Sequence, residues 1–192
     1  MPVLSRALSF PALLGLAWGL TAAVLLVERW PEMGTRLFDA DDAMRLVQVR
    51  DLIARGAWFD LHEARINPPA GYDTHWSRLI DGGLVGLYAA FRPFAGTAQA
   101  ELLMRAVWPL LWLFVAMASV AALAWRIGGR TAALIALVLA TLALPGFQHF
   151  KPGRIDHHNV QIALALAVVA AAAWSHSAPR SVRLPARRKP NC

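Results

Sequence analysis

The chain has 192 residues, 57% hydrophobic and 16% charged, with one cysteine and a formal charge of +7. Soluble domains average about 45–50% apolar and about 25% charged residues, so disorder is excluded and a soluble globule disfavoured. Cys192 stands alone, which rules out a scaffold of internal disulfides.

In chain order, the first element is an uncharged run from Ala7 to Val27. Crossing a hydrocarbon core of about 30 Å takes about 20 apolar residues at a rise of 1.5 Å each. The run is longer than the roughly 7–15 residues of a signal-peptide core, and no small-x-small cleavage site follows it. It reads as an anchor. Similar runs predict further spans at 106–125, 131–147 and 159–175. The expected fold is an all-α polytopic membrane bundle of about four spans, with a long outer loop that contains an amphipathic helix. Its parts are the first span (1–27), the outer loop (28–105), three further spans (106–175) with a short outer loop at 148–158, and a polar basic tail (176–192).

Within the long loop, Asp41 and Asp42 suit the N-cap of a helix running from Ala43 to Arg55 and stopped by Gly56. Leu46, Val49 and Ile53 share one face of it and Gln48, Asp51 and Arg55 the other, the pattern of a helix on a membrane surface. Asn67-Pro68-Pro69-Ala70-Gly71-Tyr72 reads as an extended turn, with Asn67 and Pro68 held extended by the prolines and Gly71 free to reverse the chain. The apolar run Gly82–Phe91 is too short to span alone. It either re-enters the membrane or leads with 94–104 into a tilted segment, which Arg92, Pro93 and Glu101 oppose.

Four spans put the flanking segments on alternate sides. Arg6, Arg126, Arg130, Arg180, Arg183, Arg187, Arg188 and Lys189 fall on one side with no acid. All twelve acidic residues and the other eleven basic ones fall on the other. The positive-inside rule makes the first side cytoplasmic, with both termini, and the second periplasmic or extracellular. The expected location is the inner (plasma) membrane. The excess charge is then a feature of the membrane surface, and nucleic acid is not an expected partner.

The short outer loop holds Lys151, Arg154, Asp156, His157 and His158 between two apolar segments. Ionisable groups at such a boundary are costly unless they are solvated or serve a site. Asp156 and Asn159 also suit a helix cap, which explains those two residues and not the others. Asp156 with its imidazole neighbours is a plausible ligand set for a divalent ion, Mn or Mg, and Arg154 could pair with a phosphate.

Two segments resemble the N-terminal part of GT-C glycosyltransferases, most of all the catalytic subunits of oligosaccharyltransferases. Asp42-Ala43-Met44-Arg45 through Gly56, with the later Pro68-Pro69-Ala70-Gly71, is similar to the family's first-loop motif. Gly153-Arg154-Ile155-Asp156-His157-His158 is similar to its second motif. The resemblance implies a catalytic role for Asp42, with Asp41 a possible substitute, and a metal role for Asp156. His158 stands where the family usually has a second carboxylate, and His157 lies beside it. Arg154 or Lys151 would hold the phosphate. The implied reaction moves a glycosyl group from a polyprenyl-phosphate-linked donor in the lipid bilayer to an acceptor on the outer face.

Such enzymes are much longer, so two readings of the basic end stand side by side: a stop-transfer tail, or a truncated transferase. A small non-enzymatic scaffold or partner subunit is the rival function. A transporter ranks last, because no charge sits in mid-span.

Overall fold

The computed structural model describes residues 9–143 and 148–175. The predicted basic tail at 176–192 and the last residues of the 131–147 segment lie outside the described residues. Helix α1 is Phe10–Met33, with Pro11 in its first turn, where the missing N–H costs no helical bond. Helix α2 is Ala40–Arg55 and ends on Gly56 at a φ of +67°. Its N-cap is Asp39, whose Oδ1 accepts from the backbone N–H of Asp41 and of Asp42 at 3.1 Å. The expected caps, Asp41 and Asp42, lie in the first turn instead. Asp39 is preferred because its extended backbone lets one carboxylate oxygen reach two free N–H groups.

A two-stranded antiparallel hairpin follows, β1 (His62–Glu63) with β2 (Tyr72–Asp73). The turn differs from the expected extended form at Asn67, which has a φ of +53°, a left-handed conformation that asparagine tolerates. The Pro68–Pro69 bond is cis. Gly71 has a φ of +72°, and a Cβ there would lie 2.2 Å from Nε2 of His62. This position demands glycine on both counts.

Helix α3 runs Arg78–Leu142, with non-helical backbone at Gly96, Gly128 and Gly129. Sixty-five residues of straight helix would measure about 100 Å, three times the hydrocarbon core. The glycines divide α3 into legs at 78–95, 97–127 and 130–142. Gly96 (φ +74°, ψ 175°) and Gly129 (φ +68°, ψ −160°) adopt backbone conformations that side chains disfavour. The apolar run Gly82–Phe91 belongs to the first leg. The predicted spans at 106–125 and 131–147 fall in the second and third. A short 3₁₀ turn, Gln148–Phe150, leads toward α4, His158–Ser175.

Among the described residues, three helices (α1, α3 and α4) are long and apolar enough to cross a membrane. The fold is helical apart from the small hairpin. Cross-contacts fix the directions of the helices. The Phe10 ring meets Trp125, and Trp18 donates to the Leu110 carbonyl, so α1 runs antiparallel to the second leg. Trp174 donates to Ala122 O, while Gly153 N donates to Arg105 O, so α4 runs parallel to that leg. The third leg makes the return. One core, around Leu25, Leu113, Met117, Ala121 and Ala163, joins α1, α3 and α4. A second, around Leu46, Val49, Leu84, Met104, Trp108 and Ile155, seats α2 against α3 and the short loop.

The face that α2 buries differs from the expected stripe. Leu46 and Val49 are buried, but Ile53 is exposed and Leu52 takes its place. Asp42, Arg45 and Gln48 are also buried completely. A hydrophobicity pattern assigns such residues to solvent. Here they face in because each meets a polar partner from another element.

Candidate functional site

The site forms at the end of the bundle where α1, α2 and the loop before α4 converge. Asp42, in the first turn of α2, is fully buried. Its Oδ1 accepts from the backbone N–H of Ile155 (2.7 Å) and of Asp156 (3.1 Å), and its Oδ2 accepts from Arg154 Nη1 (2.9 Å). Residues separated by more than a hundred positions thus share one carboxylate. Arg154 Nη1 also donates to Asp39, and Nη2 donates to Asp156 Oδ2 at 2.8 Å. Three carboxylates therefore surround one guanidinium, and the group carries two uncompensated negative charges when ionised.

Local geometry sets up the short loop. Gly153 has a φ of +100°, and Phe38 lies 3.5 Å from where its Cβ would be. Asn159 Nδ2 donates to the Arg154 carbonyl, tying the loop to the first turn of α4. Asp156 Oδ1 accepts from His158 N, and its Oδ2 meets His158 Nδ1, both at 3.0 Å. The Asp156 carboxylate thus serves both as a helix cap and within the charged cluster. The His158 ring stacks between His149 (4.9 Å) and His157 (4.4 Å).

Burial pushes the Asp42 carboxyl up from 3.8 to about 6, against the Ile155 N–H and the Arg154 charge that favour its ionised form. Burial also raises Asp39, but hydrogen bonds from Arg154 and from backbone N–H groups outweigh it and leave this carboxyl below its ordinary value. For Arg154, burial works against the charge and the three carboxylates overcome it, so its pKa is raised. Burial, then the neighbouring His158, lowers His157.

Four of the residues expected at the site are brought together: Asp42, Arg154, Asp156 and His158. Three sit apart from the cluster. Asp41 is exposed and uses its backbone N–H on Asp39. Lys151 pairs with Glu28 at 2.5 Å. His157 stacks on His158 and lies 5.6 Å from the Trp76 ring. Two sets of three residues each bring their possible ligand atoms within 4.8 Å: Asp39, Asp42 and Asp156 in one, and His149, Asp156 and His158 in the other. These donors fit a divalent ion, since carboxylate oxygens suit Mg or Mn and the imidazoles favour Mn or Zn. The net charge of the acidic group also calls for a cation.

The acidic cluster Asp39, Asp41 and Asp42 was a candidate in the sequence to share an ion with Asp156, whereas His149 had no expected site role. Asp39 stood in the acidic run after α1, and His149 in the same polar loop as its partners, so both signals were present without a geometry. A second buried pair escaped as well. Arg45 Nη1 donates to Asp81 Oδ1 at 2.6 Å, and Arg78 Nη1 to Asp81 Oδ2 at 3.0 Å. Arg45 lies three residues beyond Asp42, hence on the same face of α2, but a partner 36 positions away is not visible in a sequence.

Comparisons with protein families, curated proteins and solved structures find no match to this chain.

Proposed function

We propose that the protein is a membrane glycosyltransferase, or the N-terminal part of one, with four crossings and its site at the outer face. It would move a glycosyl group from a polyprenyl-phosphate-linked donor to an acceptor. The observation that carries the reading is the meeting of Asp42, from the long outer loop, with Asp156, from the short one. The first-loop and second-loop motifs of the GT-C resemblance thus share one centre. Either Asp39, Asp42 and Asp156 or His149, Asp156 and His158 would hold a divalent ion, whose chemistry is to stabilise negative charge on the departing phosphate.

The chain's own residues supply the rest. Asp42 ties the two loops together through the Ile155 and Asp156 N–H groups and Arg154, and so orients the centre toward the acceptor. Arg154 holds the carboxylates close enough to act together and offsets one of their charges. The test is transfer from a labelled polyprenyl-phosphate sugar, with Mn, by membranes carrying the gene with Asp42→Asn or Asp156→Asn. Each variant should lose at least 100-fold, and full transfer by either refutes the assignment.

The Arg154 arrangement also favours a second reading. A guanidinium shared by three carboxylates is a sound structural tie in a membrane scaffold. That reading predicts that both variants lower the unfolding temperature while no transfer is measured in any form of the protein.

A further inference from the structure

Beside the carboxylate cluster, a cavity of about 380 Å³ opens between the start of α3 and α4. Arg45, His75, Trp76, His157 and Gln161 form its polar wall. Arg45 is fully buried, and its Nε and Nη2 have no hydrogen-bond partner. The Trp76 ring lies 4.3 Å from the guanidinium centre. Stacking of this kind uses the face of the guanidinium and leaves its in-plane N–H bonds available. Arg45 shares the Asp81 carboxylate with Arg78 and reaches it through Nη1 alone, so its buried charge is incompletely paired. Such a charge is costly unless an anion completes it.

Most of the remaining lining is apolar. Ile80 and Val160 are buried there, and it continues outward along Leu79 and Leu164, both exposed. These residues belong to α3 and α4, two of the helices able to cross a membrane. A polar wall with a buried cation, joined to an apolar path on membrane helices, matches a ligand with an anionic head and a hydrocarbon chain. Arg45 Nε and Nη2 form a two-pronged donor pair of the kind that holds two oxygens of a phosphate.

We infer that this cavity binds the phosphate group of a single-chain amphiphile, with Arg45 at the phosphate and Leu79, Val160 and Leu164 along the chain. The choice of ligand rests on the reading of a lipid-phosphate donor. Arg154, expected to hold the phosphate, already faces three carboxylates, and Arg45, one turn beyond Asp42 on α2, takes that role. A phosphate here would lie next to the carboxylate centre without displacing Arg154.

The test is photolabelling of the full chain in nanodiscs with a diazirine-bearing dodecyl phosphate, in EDTA, with the labelled peptides mapped. Label should concentrate within 75–80 and 157–164. Dodecyl phosphate should compete, dodecanol should not, and inorganic phosphate should compete at least tenfold more weakly. Arg45→Lys and His75→Ala should each cut labelling at least fivefold, and the exposed His75 can be replaced without disturbing the fold. Equal competition by inorganic phosphate, equal labelling in both variants, or label centred on 97–105 would each overturn the inference. Labelling of this cavity in a protein without transfer activity supports the inference while removing the enzyme reading. Transfer with no labelling here does the reverse.

Discussion

At the scale of single residues, the account turns on Asp42. Its buried carboxylate satisfies two backbone N–H groups and an arginine, so Asp42→Ala strands both N–H groups and takes away one of the three carboxylates around Arg154. The expected cost is about 2–4 kcal/mol, since an unsatisfied buried donor forfeits about 1–3 kcal/mol and a charged one more. Asp42→Asn keeps an acceptor for the N–H groups and should cost less, an ordering that thermal unfolding in detergent would check. A carboxyl whose pKa rises from 3.8 to about 6 on folding binds its proton earlier in the folded chain. Its contribution to stability is therefore full below pH 3.8 and lost as pH rises through about 6. Asp39, whose pKa is lowered, acts in the opposite sense, and its contribution is lost as pH falls. Wild-type stability should thus fall relative to Asp42→Asn between about pH 4 and pH 7, by on the order of 2 kcal/mol. Unfolding measured across that range with no difference between the two proteins would contradict the assignment. The sequence showed these acids but not their environment, because burial depends on Ile155 and Arg154 more than a hundred positions away.

At the scale of elements, most of the helices were legible and their buried faces only in part. The uncharged runs of α1, of α3 and of α4 identified themselves, because membrane helices repeat one chemical requirement along their whole length. Helix α2 was found but begins at Ala40, with Asp39 as its cap. Its inward face was misread where Asp42, Arg45 and Gln48 break the apolar pattern to reach partners in α3, the loop at Thr74 and the short loop before α4. Asp39 both caps α2 and pairs with Arg154, and two substitutions separate these roles. Asp39→Ser keeps a cap and removes the ion pair, while Asp39→Ala removes both. The difference in unfolding free energy should be about 1 kcal/mol in favour of serine, the usual worth of an N-cap. The hairpin gives a third element-scale test. Gly71→Ala places a methyl group onto the His62 ring at a left-handed φ, and should expose 62–73 to limited proteolysis.

At the scale of the whole molecule, the helix directions agree with the charge asymmetry. Phe10, Trp125 and Trp174 gather at one end of the bundle, beside the Arg126–Arg130 segment. Glu28, Asp39, Asp42, Lys151 and Asp156 gather at the other. The acid-free end should face the cytoplasm. Single cysteines in a Cys192→Ser background test this, since Thr35→Cys should react with an impermeant maleimide on intact cells and Ile127→Cys only after lysis. The meeting of two loops at one end could be anticipated from alternating spans, but the role of Arg154 within it could not.

The central claim is that these two loops build one cation-dependent centre. Manganese binding to the purified protein, followed by electron paramagnetic resonance, tests it most directly. The account predicts a bound-ion signal in the wild type that is lost in both Asp42→Asn and Asp156→Asn. A signal of equal strength in either variant, or none in the wild type, would contradict it.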